Sequence, residues 1–462
     1  MKVLLMTILT RTHFIRRGFV TGLVGLCAML LGLLPLAAEA AWPTNALRHS
    51  QNAQGDLVLL GNMLVHCSGT GTNCTNAKNG VGNLDNYNTF TNAAAFAFVD
   101  VDGDASTSNS SSATLNMPAG STVLWAGLYW GGRYSTSTNA TDPGLSANNR
   151  RLKFRTPASA YQWISPIESI TNGVGRQNNG WTFQAYADVT SLVQAGGNGT
   201  YWGADITAAL GRNVWAGWSL VVIYENPNLP LRNFAVYDGF GYISNQTVTS
   251  TPSGFITPYN GPVVSRLGVV LWDGDRTGNT SERLNVNGTT DAYSIYNAPK
   301  NPQQDVWNST ITNLGSEIAR NPPYQNTLGV DIDRFQIPAG LIPNGATSAT
   351  LHVKSPGTDE VFYFGVTTFT TDIYVPIVVP NVVKTAEDMS PATPLLRGDT
   401  LRWHVVMSNT GYDSATNLTA TDIIPAYLTY VPNSMRIVTG PNAGNKTDAQ
   451  YDDQTDLLVG PN

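Results

Sequence analysis

Short apolar runs separated by turn residues alternate along most of this chain. Runs such as DLVLLGNMLVHC, STVLWAGLYWGG, VWAGWSLVVIYENP and VFYFGVTTFTTDIYV are rich in β-branched and aromatic residues, and Gly, Pro, Asn or Asp bounds each of them. Such runs predict β-strands. Apart from a possible turn near residues 188–194, no window of helical length repeats its apolar residues every 3.6 positions. Strands without intervening helices predict an all-β protein of sandwiches or a barrel, not a parallel α/β sheet.

The run VLWAGLYWGG, residues 123–132, is apolar on both faces of the strand that it predicts. A strand of this kind is usually central and covered on both sides, so we expect its rings to pack in a core. The alternative is a platform for a sugar ring, formed by Tyr129, Trp130 and Tyr134 beside the polar segment GGRYSTSTN. This alternative requires the rings to be exposed to solvent.

The spacing of the strands divides the chain into tandem units. We predict jelly-roll-like β-sandwiches over residues 41–262 and 263–376, because the strand pattern of the first region recurs more loosely in the second. Two prolines in the run VPIVVPNVV predict an extended linker over residues 377–388. A third β unit follows at residues 389–462.

The region 383–434 carries a further set of motifs. They are Lys384, Gly398-Asp399, Ser408-Asn409-Thr410-Gly411, Ala415, Asp422 with Pro425, Leu428 to Val431, and Asn433-Ser434. This set resembles the bacterial surface repeat called domain of unknown function 11, and DVDGD, NSSSATL, AGLYWGG and AGWSLVVIYENPNLPLRN resemble the β-rich regions that precede such repeats. The resemblance implies an immunoglobulin-like sandwich at residues 389–462, in a bacterial cell-envelope protein with a structural or adhesive role.

Repeats of this family normally continue beyond the segment that matches AQYDDQTDLLVGPN. A sandwich without its final strands exposes an unpaired edge. We therefore expect the chain to be a fragment of a longer protein, with strands supplied by another chain as the alternative.

The first forty residues have the pattern of a secretory signal peptide. A basic start without acidic residues precedes the apolar run at 19–36, and Ala38 and Ala40 flank a cleavage point before Ala41. An uncleaved membrane anchor is the alternative, although the run is near the lower length limit for spanning a bilayer. An arginine pair before the run leaves twin-arginine export open beside the general secretory route. We expect a secreted or cell-surface mature chain without a transmembrane helix.

The net charge of the chain limits the kinds of partner that we expect it to bind. Residues 1–40 carry four basic side chains and one acidic side chain, so their removal takes the formal charge from −6 to −9. A surface of this charge repels phosphate backbones, so we do not expect nucleic acid as a partner. We expect envelope components, or proteins and glycans on host or neighbouring cells.

Two cysteines, Cys67 and Cys74, remain after cleavage. An even number in an exported chain predicts a disulfide. A metal site that also uses His66 is the alternative, although the spacing matches no common zinc pattern.

Alternating aspartates provide the candidate metal site. Asp100, Asp102 and Asp104 lie at a predicted strand end, where three carboxylates could bind structural calcium; a solvated acidic turn is the alternative. Asp273 with Asp275, and Asp331 with Asp333, are weaker copies. The former pair also has a spacing that a glycoside hydrolase could use.

The chain shows no nucleophile elbow, zinc-protease motif or phosphate loop. Lys384 opens the last unit, where such a lysine could form an isopeptide bond with help from Asp422; a solvated lysine is the alternative. We therefore predict a non-enzymatic structural or adhesive protein without a cofactor other than calcium. A carbohydrate-binding module is the first alternative, and a secreted glycoside hydrolase is the second.

Cleavage before Ala41 can be tested directly. When the full chain is produced in a bacterium with an active secretory pathway, intact mass and N-terminal sequencing should show a mature protein that begins at Ala41. Ala40→Leu should block processing, because the cleavage site requires a small side chain there. Ala41→Ser is the matched control and should be processed. A wild-type chain that keeps its first forty residues and stays in the membrane would instead support the anchor.

Overall fold

The structure is a computed structural model. It describes residues 46–69, 71–81, 96–134, 150–172, 181–211, 213–276, 282–355, 361–374, 376, 378, 382–390, 394–411, 415, 418, 420–440, 443–452 and 455. The predicted signal peptide, residues 1–40, lies outside the described residues.

The described residues form an almost entirely β structure. In chain order the strands are β1 Ala46–Met63, β2 Val65–Cys67, β3 Phe96–Phe98, β4 Ser110–Leu115, β5 Thr122–Arg133, β6 Leu152–Arg155, β7 Gln162–Ile164, β8 Glu168–Asn172, β9 Thr182–Asp188, β10 Gly199–Ala204, β11 Ala216–Glu225, β12 Leu231–Ser244, β13 Thr247–Ser250, β14 Ser265–Trp272, β15 Arg283–Val286, β16 Ile311–Asn313, β17 Ser316–Glu317, β18 Arg320–Asn321, β19 Val330–Gln336, β20 Leu351–Lys354, β21 Val361–Asp372, β22 Val382–Asp388, β23 Leu401–Met407, β24 Arg436–Ile437 and β25 Gly444–Asn445. The helices are α1 Thr72–Lys78, α2 Thr190–Gly196 and a 3₁₀ turn at Asp291–Tyr293. None of the described helices is long and apolar enough to cross a membrane. The predicted all-β sandwich class is confirmed.

The largest sheet has eleven strands and folds back on itself at β1. Its order is β17-β16-β19-β14-β21-β12-β1-β11-β5-β9-β8. The first half of β1, residues 46–54, pairs with β12, and the second half, residues 55–63, pairs with β11. The two halves of the sheet then face each other: Trp215, just before β11, stacks on Trp272 of β14 with ring centroids 5.3 Å apart. A single long strand therefore links two layers.

A second sheet covers the outer face of the β5–β11 half. Its strand order is β18-β4-β10-β6-β7. Trp218 of β11 is fully buried at this interface, where its Nε1 donates to Ser111 Oγ of β4 at 3.0 Å. Gly203 of β10 makes room for the indole, since a Cβ at that position would lie 2.5 Å from Trp218 Cδ1.

A third sheet, β13-β20-β15, packs on the other half of the large sheet. Buried Leu284 and Leu351 of this sheet belong to one core cluster with Leu271 of β14 and Phe369 of β21. The described residues between 46 and 374 thus stack as four β layers. The strands that are apolar on both faces, β5 and β11 among them, lie in the inner layers.

The predicted boundary between residues 262 and 263 does not separate two sheets. Strand β12, from the first predicted unit, pairs with β21 of the second from Arg232↔Asp372 to Ser244↔Val361. In the other direction, β18 of the second unit pairs with β4 of the first. The two regions share one large sheet because β12 and β21 pair along most of their length.

Part of the predicted linker at 377–388 is a strand. Strand β22 pairs with β23 from Val382↔Met407 to Asp388↔Leu401, and the side chains of this hairpin are exposed or half-buried. Residues 416–462 belong to a separate compact unit, in which β24 pairs with β25 and Tyr430 Oη donates to Asp448 Oδ1 at 2.7 Å. The immunoglobulin-like repeat at 389–462 stays a prediction.

A charged network crosses the large sheet. Arg232 of β12 binds Asp372 of β21 at 2.6 Å and lies 3.5 Å from Asp56 of β1, which also binds Arg334 of β19. Burial acts to raise the pKa of Asp56, but the two arginines outweigh it, and the pKa lies below its usual value. The carboxylates and guanidiniums therefore offset one another's desolvation in a largely buried place.

Neutralising Asp372 tests this network. Asp372→Asn keeps the side-chain shape but leaves the buried Arg232 without its nearest carboxylate, so the free energy of unfolding should fall by about 3 kcal/mol. Urea denaturation at pH 7 measures this. Glu225→Gln, at an exposed position on β11, is the control and should stay within about 0.5 kcal/mol of wild type. A loss below about 1 kcal/mol for Asp372→Asn would mean that the network does not stabilise the sheet.

Candidate functional site

The aromatic platform predicted at Tyr129, Trp130 and Tyr134 is wrong. The side chains of Tyr129 and Trp130 are 0% exposed. Tyr129 Oη donates to Asp238 Oδ2 at 3.0 Å, and Trp130 Nε1 donates to the Arg150 carbonyl oxygen at 2.8 Å. Tyr134 is half-buried. The sheets on both sides of β5 enclose these rings, and their packing in a core is confirmed.

The three aspartates of DVDGD do not converge on one point. Each accepts hydrogen bonds in or beside its own loop, from Ser110 Oγ to Asp100, from Thr107 Oγ1, Tyr161 Oη and Asp104 N to Asp102, and from Ser106 N to Asp104. Within the described ranges, no group of three or more His, Cys, Asp or Glu side chains is placed to hold a metal ion. Calcium at Asp100, Asp102 and Asp104 stays a prediction.

The disulfide between Cys67 and Cys74 is confirmed, with Cα atoms 5.7 Å apart. Both thiols are used in this bond, so the alternative metal site with His66 is wrong. The bond ties β2 to helix α1.

Lys384 lies on the exposed hairpin of β22 and β23. Its Nζ is 4.3 Å from the centroid of the Trp403 ring, a cation–π contact. The isopeptide bond with help from Asp422 stays a prediction.

The two further aspartate pairs, of which Asp273 and Asp275 were considered for glycoside hydrolysis, are buried or half-buried. Asp273 is 6% exposed, and burial raises its pKa to about 7, a shift that the nearby Arg133 only partly offsets. Asp275 is half-buried. Asp331 and Asp333 on β19 are 1% and 0% exposed. A polysaccharide has no access to the buried Asp273, so the glycoside hydrolase alternative gains no support.

A polar cavity lies elsewhere, beside the five-stranded sheet. It is an open groove of about 450 Å³, lined by Ala105, Ser106, Thr107, Ser108, Trp163, Asp205 and Thr207. One wall is the loop that follows DVDGD, and the other walls come from β7 and the segment after β10. We call this the Trp163 groove.

Trp163 is exposed because of the register between β6 and β7. Lys153 is its direct partner across the strands, while Leu152 and Phe154 of β6 point into the core. The indole is 45% exposed. The guanidinium carbon of Arg151 lies 4.6 Å from the ring centroid, and Lys153 Nζ lies 5.2 Å from it. The outward positions of this edge therefore combine a flat ring with cations.

Asp205 supplies a fixed acceptor in the Trp163 groove. It follows β10 with φ of +56°, and it accepts hydrogen bonds from Ser108 N at 2.7 Å and Ser108 Oγ at 2.8 Å. Lys153 Nζ lies 2.9 Å from its second oxygen. Burial acts to raise the pKa of Asp205, but these donors outweigh it and lower the pKa below its usual value. The groove thus contains an ionised carboxylate whose charge is balanced by Lys153.

Rings and cations continue along the same sheet. Arg155 Cζ lies 5.2 Å from the Trp202 ring and 5.7 Å from the Tyr161 ring. We define the aromatic–basic face as Arg151, Lys153, Arg155, Tyr161, Trp163 and Trp202. These groups can stack on a ligand and form hydrogen bonds with it.

Sequence reasoning missed Trp163. The strand that carries it has only three residues, in the segment AYQWIS, too few to show which face is buried. The neighbouring run LKFR alternates apolar and basic residues, which is the one available sign of an exposed face next to Trp163.

No protein-family model matches the chain, and no curated protein matches it. Among solved structures, the chain is similar to the major capsid protein P2 from Bacteriophage PM2, with 12% sequence identity and a TM-score of 0.16. The match covers 59% of this chain and 95% of the capsid protein. A likeness of this size supports no conclusion about function.

The raised pKa of Asp273 predicts a measurable pH dependence. A carboxyl with a folded-state pKa of about 7 stabilises the fold fully below its unfolded pKa near 3.8, and this contribution is lost as pH rises toward 7. Asp273→Asn removes the titration, and Asn tolerates the φ of +70° at this position. The unfolding free energy of the variant relative to wild type should therefore rise between pH 5 and pH 8.

Urea titrations at several pH values measure this difference. Asp388→Asn, at an exposed position on β22, is the control and should show no such trend. A pH-independent difference for Asp273→Asn would contradict the assignment.

Proposed function

We propose that this chain is an exported cell-envelope protein with a structural or adhesive role and no enzymatic activity. The main supporting observation is the location of the candidate catalytic carboxylates and of the exposed aromatic and basic side chains. Of the candidate catalytic pair, Asp273 is buried and Asp275 is half-buried, whereas the aromatic–basic face lies on the outside of an outer sheet. A stack of sheets with aromatic and basic side chains on its outer surface suits attachment to a partner better than catalysis of a reaction.

The export pattern of residues 1–40 and the disulfide support a location outside the cytoplasm. Disulfides persist in oxidising compartments and are rare in the cytosol. The partners that fit are envelope components, or proteins and glycans on host or neighbouring cells. Such partners are reached from the outer face, where Trp163 and the arginines beside it are available.

The carbohydrate-binding alternative keeps its support, but at different residues. Tyr129 and Trp130 cannot form the platform, while Trp163 is exposed beside hydroxyl and carboxylate groups. Exposed rings next to hydrogen-bonding side chains are what a sugar site requires.

Adhesion through the aromatic–basic face can be measured with the mature chain, residues 41–462. Fluorescently labelled protein should bind whole bacterial cells or envelope extracts, and Arg151→Gln/Arg155→Gln should weaken this binding by about tenfold or more, because arginines are frequent binding hot spots. The matched control is Arg397→Gln/Arg436→Gln, which removes the same charge from exposed positions elsewhere.

Equal loss in both double variants would point to net charge rather than to this face. Absence of binding by the wild type to every cell or extract would contradict the adhesive role. Release of reducing sugars from the same extracts would contradict the non-enzymatic assignment.

A further inference from the structure

We propose that the Trp163 groove binds a neutral saccharide, an inference that rests on the adhesive role proposed above. The groove combines a flat apolar surface, a set of hydroxyl groups and a balanced pair of charges. Each of these features limits the chemistry of the ligand.

The indole of Trp163 provides the apolar surface. At 45% exposed it is one of the more accessible large rings of the outer sheet, and it forms part of the groove wall. The C–H face of a pyranose ring is flat and apolar, so it can contact such an indole without losing hydrogen bonds. Ligand sites typically pair aromatic walls with a few placed polar groups.

The polar groups of the groove suit hydroxyls. Lys153 offers donors, Asp205 offers acceptors, and the hydroxyls of Ser106, Ser108 and Thr207 can do both. A sugar hydroxyl also donates and accepts, so it can bridge an ammonium and a carboxylate. A ligand that only accepts hydrogen bonds would gain no hydrogen bond from Asp205, whose oxygens already accept from Ser108 and pair with Lys153.

Charge balance argues against an anionic ligand. Asp205 is the charged residue among those that line the groove, and it would repel an anion. Asp102 and Asp104 precede the loop that forms the opposite wall. Together with Asp205 they match the three cations of the aromatic–basic face in number. The groove therefore lacks the positive excess that phosphate or uronate recognition requires.

The loop wall is already held in place. Thr107 Oγ1 donates to the Asp104 carbonyl oxygen at 2.9 Å and contacts Asp102, and Ser106 N donates to Asp104 Oδ1 at 2.9 Å. On the other side of the loop, Ser108 N donates a hydrogen bond to Asp205 Oδ1. A site that is rigid before binding loses less entropy when the ligand arrives. The volume, about 450 Å³, lies within the range of roughly 300–1,000 Å³ typical of small-ligand sites.

The test uses the mature chain, residues 41–462. A glycan array that carries neutral and acidic oligosaccharides identifies the bound class, and calorimetry with maltotriose, cellotriose, chitotriose and trigalacturonate measures affinity. Trp163→Ala and Asp205→Asn should each weaken binding of the neutral glycan at least tenfold. Trp403→Ala is the matched control, because that indole is 42% exposed on the hairpin of β22 and β23. Circular dichroism and thermal unfolding check that each variant is folded; Asp205→Asn keeps the side-chain shape should Trp163→Ala fail this check.

Binding of a neutral glycan that is lost in both groove variants and kept in Trp403→Ala supports the proposal. Preference for trigalacturonate or other acidic glycans would overturn the neutral class, and unchanged affinity in Trp163→Ala would overturn the location. If the protein binds cells but no glycan on the array, the saccharide inference fails while the adhesive role stands. If it binds neither, both fail.

Discussion

Strands that are apolar on both faces must be covered on both faces, and this requirement organises the whole fold. Strands β5 and β11 carry rings on each side, with Trp130 and Trp218 facing the five-stranded sheet and Tyr129 facing the other half of the large sheet. Two covering layers are therefore needed around them. The covering layers, in contrast, have one face exposed to solvent. The alternation of Leu152 and Phe154 with the basic side chains of β6 shows this. The stacking thus leaves the polar faces of the outermost sheets exposed to solvent.

Buried and half-buried aspartates of the interior fall into two groups, which differ in the direction of their pKa shift. Where an aspartate lies beside arginines, as Asp56 of β1 does beside Arg334 and Arg232, its pKa lies below the usual value, and the ion pairs link β1 to β19 and β12. Where burial dominates, as at Asp273, the pKa rises to about 7, so the carboxyl is mostly neutral at pH values below that. Whether the pKa of such an aspartate falls or rises therefore depends on how close a cation lies to its carboxylate.

The sequence alone predicts the β class, the disulfide and the burial of the rings of β5, because each depends on local pattern: alternation, cysteine count and two-sided apolarity. Three other features depend on contacts made only in the folded structure, so the sequence alone does not predict them. The sheet continues past residue 262 because β12 finds β21 more than one hundred residues later. The DVDGD carboxylates turn toward their own loop. Trp163 is exposed because its partner in the register happens to be Lys153.

Strand β1 also has a mechanical consequence. Its eighteen residues pair antiparallel with β12 over one half and with β11 over the other. A tension applied along its axis, such as fluid drag on a protein attached at a surface, loads these inter-strand hydrogen bonds in shear, so that many must fail together rather than peel one by one. Because resistance to force depends on the rate of unfolding rather than on equilibrium stability, shear loading of this single strand should slow unfolding under tension.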